Sequence, residues 1–399
     1  MILLRFSCEG EAALDIILYL WLAFAFSSFG ILGVNYILTR RAAKQVWRIQ
    51  SNKDYKPRVS IIVPTYNEFE VIKYKLKNLV RLEYPEDLLQ IVFVDSQSTD
   101  GTVDKIRDFA EGNPRMDVKM LVENERKGKS VALNTALSAC DGEVVIVSDA
   151  DCFWPSNILK ESLPYLSDPA IGAISGPKKL LNPEDTWTTR NESRYLESMN
   201  LMKLGESKMS STIFFEGGFS AYKKTLLEAF DPYHTGSDDC GTIIGILQRN
   251  ARAIMVPEAQ FFTFFPKSWQ GRMEMKMRRA IQLVRVFRNY MSLLIRGEIK
   301  TMRKMVIKNL LLYLLAPIMF LFFMAMTVIL FLSFPPAALM LCVFLIPGVN
   351  NYLVETLLSY LILSYSMVLA AFKKRPLVWK KPEDRKLVRE EALLGAGLI

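Results

Sequence analysis

Two pairs of aspartates stand within two residues of each other in the chain. Residues 144–152 read VVIVSDADC, an apolar run driven straight into Asp149 and Asp151. Further on, TGSDDCG sets Asp238 beside Asp239. Like charges at such spacing repel unless a cation or a reaction uses them. With a diphosphate between them, Asp149 and Asp151 form a hard-oxygen site for Mg2+ or Mn2+, which often takes one or two carboxylates plus substrate phosphates. The second pair suits proton abstraction, because neighbouring carboxylates raise the pKa of one of them. It also suits a helix N-terminus, since TGSDD before CGTIIGILQ puts acids in a first turn. The two roles are compatible.

The elements that position these acids follow from the apolar patterning. RVSIIVPTYNE is a β-branched run ending in proline and polar residues, QIVFVD a strand ending on Asp95, and MDVKMLVE a further short strand. KSVALNTALSACDG has helical Leu and Ala spacing, and EVVIVSDAD closes the series. Strands that are nearly all apolar and alternate with helices predict an α/β, Rossmann-like, mostly parallel sheet covered on both faces. In such sheets ligands bind outside the carboxyl ends of the strands. Those ends carry Asn67, Glu68, Asp95, Asp149 and Asp151. No GxGxxG follows the first strand and no GxxxxGK[ST] occurs, which removes dinucleotide and P-loop readings. The first turn, PTYNE, instead offers backbone amides, an amide side chain and a carboxylate able to accept from base or ribose N–H and O–H groups.

Composition narrows the partners. Fifty Lys and Arg against 41 Asp and Glu give +9 on a 51% hydrophobic chain, which favours an anionic partner: nucleic acid, anionic lipid or a phosphorylated small molecule. Nucleic acid is disfavoured, because it has no use for carboxylates at successive strand ends and the basic residues cluster beside apolar segments. The five cysteines, Cys8, Cys140, Cys152, Cys240 and Cys342, lie far apart, which argues against a disulfide scaffold or a zinc site. His234, the lone histidine, stands in a turn-like DPYHTG and reads as a loop residue.

From Ile16 to Thr39 no charge appears. At roughly 1.5 Å per residue such a run crosses a hydrocarbon core about 30 Å thick. Arg40, Arg41, Lys44 and Arg48 follow at once, so the positive-inside rule puts residue 40 onward in the cytoplasm. A second apolar region runs from Asn309 to Phe372, interrupted only by Glu355. Its flanks are both basic (Arg303, Lys304 and Lys308; Lys373, Lys374 and Arg375), which predicts an even number of crossings. Two spans with a short re-entrant or capping piece at 337–346 satisfy this; three full spans are the alternative. Glu355 is an interfacial charge or part of a polar path between helices.

Taken together, VSIIVPTYNE, VDSQSTDGT, RKGKSVALNTAL, VIVSDADC and TGSDDCGTIIGILQRNARAIMVPEA resemble, in order and spacing, glycosyltransferase family 2 with its GT-A fold, over residues 58–290. The resemblance implies a hexosyltransferase that inverts the anomeric centre while moving one sugar from a UDP- or GDP-sugar, using Mg2+ or Mn2+. It would assign Pro64, Tyr66, Glu68 and Asp95 to the nucleoside and Lys127 or Lys129 to the base or diphosphate. Asp149 would lie near the ribose or metal and Asp151 on the metal. It puts the catalytic base at SDD, with Asp239 favoured and Asp238 its neighbour. FFEGGFSAYKK resembles the family's loop that lines the donor sugar and acceptor entrance, where Gly217 and Gly218 would allow close backbone approach and Glu216 is a candidate sugar contact.

The chain departs from processive members of the family, such as cellulose and hyaluronan synthases, which carry Gln-x-x-Arg-Trp on an interfacial helix. Alignment on Arg278 puts Met275 and Arg279 in the glutamine and tryptophan places. Arg278 and Arg279 still suit a diphosphate or lipid phosphate, because guanidinium forks match phosphate oxygens. Along this segment Met273, Met277, Ile281, Val284, Phe287, Met291 and Leu294 recur at helical spacing among many basic residues. A helix at the headgroup level fits that pattern; a core-facing stripe with a solvated basic face is the alternative. The expected organisation is an N-terminal transmembrane helix at 1–39, a cytoplasmic GT-A domain at 40–265, amphipathic interfacial helices at 266–308, a transmembrane region at 309–372 and a basic tail at 373–399. The expected activity is transfer onto a lipid-linked acceptor, polyprenyl phosphate or glycolipid, at the cytoplasmic face of the cell membrane. A processive polysaccharide synthase is the alternative. The sequence leaves oligomeric state open.

Overall fold

The computed structural model describes residues 2–300, 302–346, 349–372 and 388–399. They form two compact units. One comprises residues up to Leu38, Lys276–Met291 and those from Lys304 to Phe372; the other comprises Thr39–Met275, Ser292–Arg303 and the residues from Val388 on. The first apolar run forms α1 (Ile2–Ala25) and α2 (Ile31–Ala43), joined by the π-helical turn Phe26–Gly30. The helix therefore continues beyond Thr39, through Arg40 and Arg41, to Ala43.

The larger unit is built on a seven-stranded sheet. Its strands are β1 (Val59–Thr65), β2 (Leu89–Asp95), β3 (Asp117–Val122), β4 (Val144–Val147), β6 (Ile171–Ser175), β8 (Ser220–Lys223) and β9 (Arg252–Met255), in the order β3-β2-β1-β4-β8-β6-β9. Only β8 runs antiparallel to its neighbours; the other strands share one direction. Every residue of β2 and β4 is buried, which explains their unbroken apolar runs. A smaller sheet, β5-β10-β7, joins β5 (Cys152–Phe153), β7 (Lys178–Leu180) and β10 (Phe261–Thr263).

Helices α3 (Phe69–Val80), α4 (Thr102–Gly112) and α5 (Lys129–Leu137) follow β1, β2 and β3, giving the crossovers a parallel sheet needs. The short α6 (Ile158–Ser162) follows β5, and α8 (Cys240–Gln248) leads into β9. The long α7 (Trp187–Met209) starts from Thr186, whose hydroxyl accepts from the Thr189 amide in a capping box. The core contains Val59, Ile61 and Val63 of β1, Ile91 and Phe93 of β2, and Ile146 of β4, packed with Ile72, Leu76 and Leu79 of α3.

Beyond this unit's last strand, α9 (Trp269–Ile295) begins from Ser268, whose hydroxyl accepts from the Gly271 amide. The apolar stripe expected from its sequence is only partly the buried one. Ile281, Val284 and Phe287 are buried, whereas Met291 is exposed and Met273, Met277 and Leu294 are half-buried; Met275, Ala280, Val286, Tyr290 and Leu293 are buried instead. One cause is electrostatic. Arg272 is fully buried against Glu192 of α7, Nε to Oε2 3.1 Å, and this pair fixes the first turn of α9 from within. Met275 sits with Leu180, Leu196 and Phe265, an apolar setting unlike that of the glutamine it aligns with.

In the smaller unit, α10 (Arg303–Leu310) passes through a π turn into α11 (Ala316–Ser333); a 3-10 segment, Pro335–Leu345, precedes α12 (Val349–Phe372). Pro335 and Pro336 stand at its start, where a missing N–H does no harm. Among the described residues, three helical stretches are long and apolar enough to cross a membrane: Leu14–Ala43, Arg303–Ser333 and Leu353–Ala370. Phe29, Phe320, Phe323 and Tyr360 cluster between them, and Tyr360 donates to the Ser28 carbonyl at 2.6 Å. Glu355 pairs with Lys276 of α9 at 2.8 Å, so the one acid of this apolar region has a cation beside it. The flanking Lys373, Lys374 and Arg375, as well as Pro347 and Gly348, lie outside the described residues.

Removing one member of a buried ion pair strands the other, at a cost of about 3–5 kcal/mol. Arg272→Met should therefore lower thermal stability sharply in detergent, while Arg272→Met with Glu192→Leu should recover most of the loss. Equal unfolding temperatures for the single and double variants would contradict this account of the α9 anchor.

Candidate functional site

Strands β1, β2 and β4 end side by side. Thr65 pairs with Asp95 and Ile62 with Val147, so PTYNE, DSQS and SDAD emerge along one edge of the sheet. Strand β8 reaches the same edge from the opposite direction, Ser220 facing Val147. Its reversal delivers Gly217 and Gly218 to this edge, where the Asp149 amide donates to the Gly217 carbonyl at 2.8 Å.

The charged centre of the edge is a triad. Lys129, in the first turn of α5, lies 2.6 Å from Asp149 Oδ1 and 2.6 Å from Asp238 Oδ2. Gly128 before it has φ +104, a conformation open to glycine that lets the chain turn into the helix. Burial alone would lower the Lys129 pKa, but the two carboxylates overcome it and move it upward. For Asp238, burial is the leading influence and Asp239 and Asp149 add to it; against the pull of Lys129, its pKa rises to about 6. Gly217 is required by this packing, since a Cβ there would sit 2.4 Å from Lys129 Nζ and 3.1 Å from both Asp149 oxygens.

The acidic pair is divided in its contacts. Asp238 turns to Lys129, whereas Asp239 is the N-cap of α8, its Oδ1 accepting from the Ser237 hydroxyl at 2.5 Å and the Cys240 amide at 2.6 Å. The preceding loop is organised by buried Asp231, which accepts from the Thr235 amide and hydroxyl and from the Gly236 amide. His234 is exposed on this loop.

Asp149, Asp151 and Cys152 each bring a ligand atom within 4.8 Å of the others. Two carboxylates fit a hard cation such as Mg2+ or Mn2+, while the buried Cys152 thiol is a soft donor ill suited to either. The turn carrying these acids is held from beneath by Lys75 of α3. Its ammonium is fully buried, donates to Ser148 Oγ at 2.6 Å and to the Cys152 carbonyl at 2.8 Å, and lies 4.4 Å over the Trp154 ring. Burial lowers its pKa to about 7 although Cys152, Asp149 and Asp151 oppose the shift. Trp154 in turn donates from Nε1 to the Gly218 carbonyl at 2.7 Å, joining this turn to the glycine loop.

The remaining candidates spread along the edge. Asp95 is fully buried and accepts from Thr65 Oγ1 and from the Ser98 amide and hydroxyl, which makes it the organiser of the DSQS turn. Pro64 is half-buried near the end of β1. Tyr66 is partly exposed, with the Arg126 guanidinium 3.6 Å over its ring. Glu68 stands at the N-cap position of α3, where its backbone carbonyl accepts from the Val71 and Ile72 amides. Lys127 is exposed and paired with Glu125 at 3.2 Å, so of the two lysines considered it is Lys129 that joins the acids. Glu216 is occupied by two buried lysines, Lys203 at 2.5 Å and Lys178 at 3.7 Å. Arg278 and Arg279 belong to the other unit, half-buried on α9.

Several of these residues escaped the sequence reading. Lys75 has a legible signal, because it falls on the apolar stripe of α3 between Val71, Ile72, Leu76 and Leu79. Asp231 has one too, as the first residue of the turn-like DPYHTG whose Thr235 and Gly236 it accepts from; Lys178, Lys203 and Arg126 have none, since each acquires its role from a partner outside any recognisable local pattern.

A mostly parallel, seven-stranded sheet with acids and tight glycine turns on its carboxyl edge is the GT-A form of the Rossmann-like architecture. Residues 60–230 match the family model described as glycosyl transferase family 2. The mannosyltransferase PcManGT from Pyrobaculum calidifontis, whose structure was solved in complex with GDP-Man and Mn2+, superposes with a TM-score of 0.76 at 30% identity, covering 90% of this chain and 100% of that one. The chain belongs to glycosyl transferase family 2. Among curated relatives, "Probable glycosyltransferase YdaM" of Bacillus subtilis (strain 168) is 34% identical over 40% of this chain and 38% of its own length. The beta-monoglucosyldiacylglycerol synthase of Synechocystis sp. (strain ATCC 27184 / PCC 6803 / Kazusa) is 32% identical over 34% of this chain and 28% of its own. The chain thus spans well under half the length of these two relatives.

The raised Asp238 pKa has a consequence for stability. Between 3.8 and about 6 the folded chain holds a proton that the unfolded chain has released, so stability falls as pH rises through that window. Relative to Asp238→Asn, which has no such proton, the wild type should lose unfolding temperature across it. Lys129→Met should deepen the loss, because the ammonium that favours the carboxylate is gone. A difference between wild type and Asp238→Asn that stays constant with pH would refute the assignment.

Proposed function

We propose that the chain is an inverting, metal-dependent glycosyltransferase that moves a sugar from a UDP- or GDP-sugar to a lipid-linked acceptor, polyprenyl phosphate or glycolipid, at the cytoplasmic face of the cell membrane. The observation that carries this reading is the convergence of Asp149 and Asp238 on Lys129, beside the turn that also bears Asp151. The GDP-Man and Mn2+ of the similar mannosyltransferase support a nucleotide-sugar donor and a divalent cation. A relative named for a diacylglycerol glycolipid and three helices of spanning length support a lipid acceptor.

In this reading Asp151 and Asp149 hold Mg2+ or Mn2+, which supplies charge neutralisation for the departing nucleotide diphosphate. Lys129, the ammonium held between the acids, meets the same diphosphate as a compact point charge. Pro64, Tyr66, Glu68 and the turn shaped by Asp95 receive the nucleoside, with Arg126 stacked on Tyr66 as an added cation. Gly217 and Gly218 allow the donor sugar to approach the backbone. The acceptor oxygen attacks the anomeric carbon, the bond to the diphosphate breaks on the opposite face, and the acceptor proton passes to Asp239. The contacts to the Ser237 hydroxyl and Cys240 amide both use Oδ1 of that carboxylate and fix its direction. An acceptor phosphate is already ionised and needs no base. Arg278 and Arg279 are assigned to the donor or lipid phosphates.

Purified full-length protein mixed with radiolabelled UDP- and GDP-sugars, Mn2+ and either polyprenyl phosphate or glycolipid should yield labelled lipid. Labelled polymer would instead indicate a processive synthase, and no product with any donor would refute the proposal. Asp151→Ala should abolish donor turnover. Asp239→Asn should keep donor binding while slowing transfer to a hydroxyl acceptor about 10²–10⁴-fold, with transfer to a phosphate much less affected.

A further inference from the structure

The segment LVREEALLGAGLI has no part in the chemistry above, yet its described residues dock directly behind the acidic turn. Helix α13 (Glu390–Gly395) and the residues after it bury Leu393 and Leu398 against Val71 and Tyr74 of α3, Phe153 of β5 and Phe264 after β10. Strand β5 begins at Cys152, immediately after Asp151, and its Phe153 lies under these leucines. The backbone is tied in as well. Asn78 Nδ2 donates to the Leu398 carbonyl and to the Trp154 carbonyl, each at 2.7 Å, and Asn78 Oδ1 accepts from the Trp154 amide at 3.0 Å. One amide side chain thus links the segment to the strand that leaves the acidic turn. Charged groups secure its start: Arg389 makes a two-pronged contact to Asp185, 2.8 Å to each oxygen, and Glu390 meets Lys77 at 3.0 Å and the Tyr74 hydroxyl at 3.3 Å.

We propose that residues 388–399 are a clamp that positions Asp151 for the divalent cation. The inference rests on the metal reading of Asp149 and Asp151. Lys75 and Asn78, both from α3, hold the exit of the acidic turn by hydrogen bonds, and Leu393 and Leu398 pack with Phe153 and with Val71 and Tyr74 of the same helix. With the clamp released, Phe153 loses its cover, the exit of the turn loosens, and Asp151 no longer meets its partner carboxylate in a fixed geometry. Residues that orient metal ligands in this way typically affect metal affinity about 10–100-fold when altered. The clamp residues are positioning residues, because they act on Asp151 through Phe153 and Asn78.

The test uses the full-length protein in detergent with Mn2+ alone, bound metal being followed by loss of the free-ion EPR signal, together with amide hydrogen exchange. Leu393→Ala with Leu398→Ala should weaken Mn2+ binding about tenfold and speed exchange across residues 148–154, leaving exchange in β2 unchanged; Leu398→Met should restore both. Unchanged exchange at 148–154 together with wild-type Mn2+ affinity overturns the clamp. Asp151→Asn in the same titration separates the two ideas: wild-type affinity in that variant overturns the metal site itself, whereas lost affinity there with wild-type affinity in the leucine variant overturns only the clamp. If the leucine variant fails to fold, Arg389→Ala with Glu390→Ala carries the same test, with weaker binding and faster exchange at 148–154 expected, and no change in either measurement fatal to the proposal.

Discussion

Lys129 stands 2.6 Å from a carboxylate on each side, and much of the surrounding structure follows from the need to keep those three charges together. Asp149 and Asp238 come from distant parts of the chain, and without a cation between them their repulsion would open the edge. The ammonium is delivered by the first turn of α5, whose helix is anchored by Ala132, Leu133 and Ala136 in the core. The carboxylates are delivered by the end of a fully buried strand and by a loop wound around Asp231. None of the three has much room to retreat, so the attraction is expressed as geometry rather than as local collapse.

Around that centre the fold relies on buried polar groups that are fully occupied. Lys75 lies against the acidic turn with two oxygen acceptors and an indole face, the buried Lys178 and Lys203 meet Glu216 at the start of the glycine loop, and Arg272 meets Glu192 at the base of α9. A buried charge is tolerated only when it is paired and hydrogen-bonded. Each of these groups meets that condition with partners from a different element. They therefore link elements that hydrophobic packing, being non-directional, would leave free to slide.

The sheet and its acidic edge were legible in the amino-acid sequence because both are written locally. An unbroken apolar run ending on Asp95, or on Asp149 and Asp151, carries its own direction and its own functional end. The helix caps at Thr186 and Ser268, and the span-length apolar helices, are local in the same sense. What remained hidden depends on partners far along the chain. The reversed direction of β8 and the lysines beside Glu216 appear only once the strands are paired. The methionine stripe of α9 misled for a related reason. Spacing identifies a helical face, but a buried arginine with its acid decides how the first turns are seated.

Strand β8 alone opposes its neighbours, so the sheet's edge receives the beginning of that strand and the ends of the others. Just upstream of Ser220 the chain is held by the Asp149 amide on the Gly217 carbonyl, the Trp154 indole on the Gly218 carbonyl and two lysines on Glu216, while the strand itself is locked in register on both flanks. Ser211 and Thr212, ahead of these glycines, hydrogen-bond to Ala253 of β9, so this segment is tied to the paired strands as well. A slip of β8 by one residue would carry Gly217 away from the Asp149 amide and from the place where the Lys129 ammonium packs, so the pairing of one short strand sets the spacing of charges well outside it.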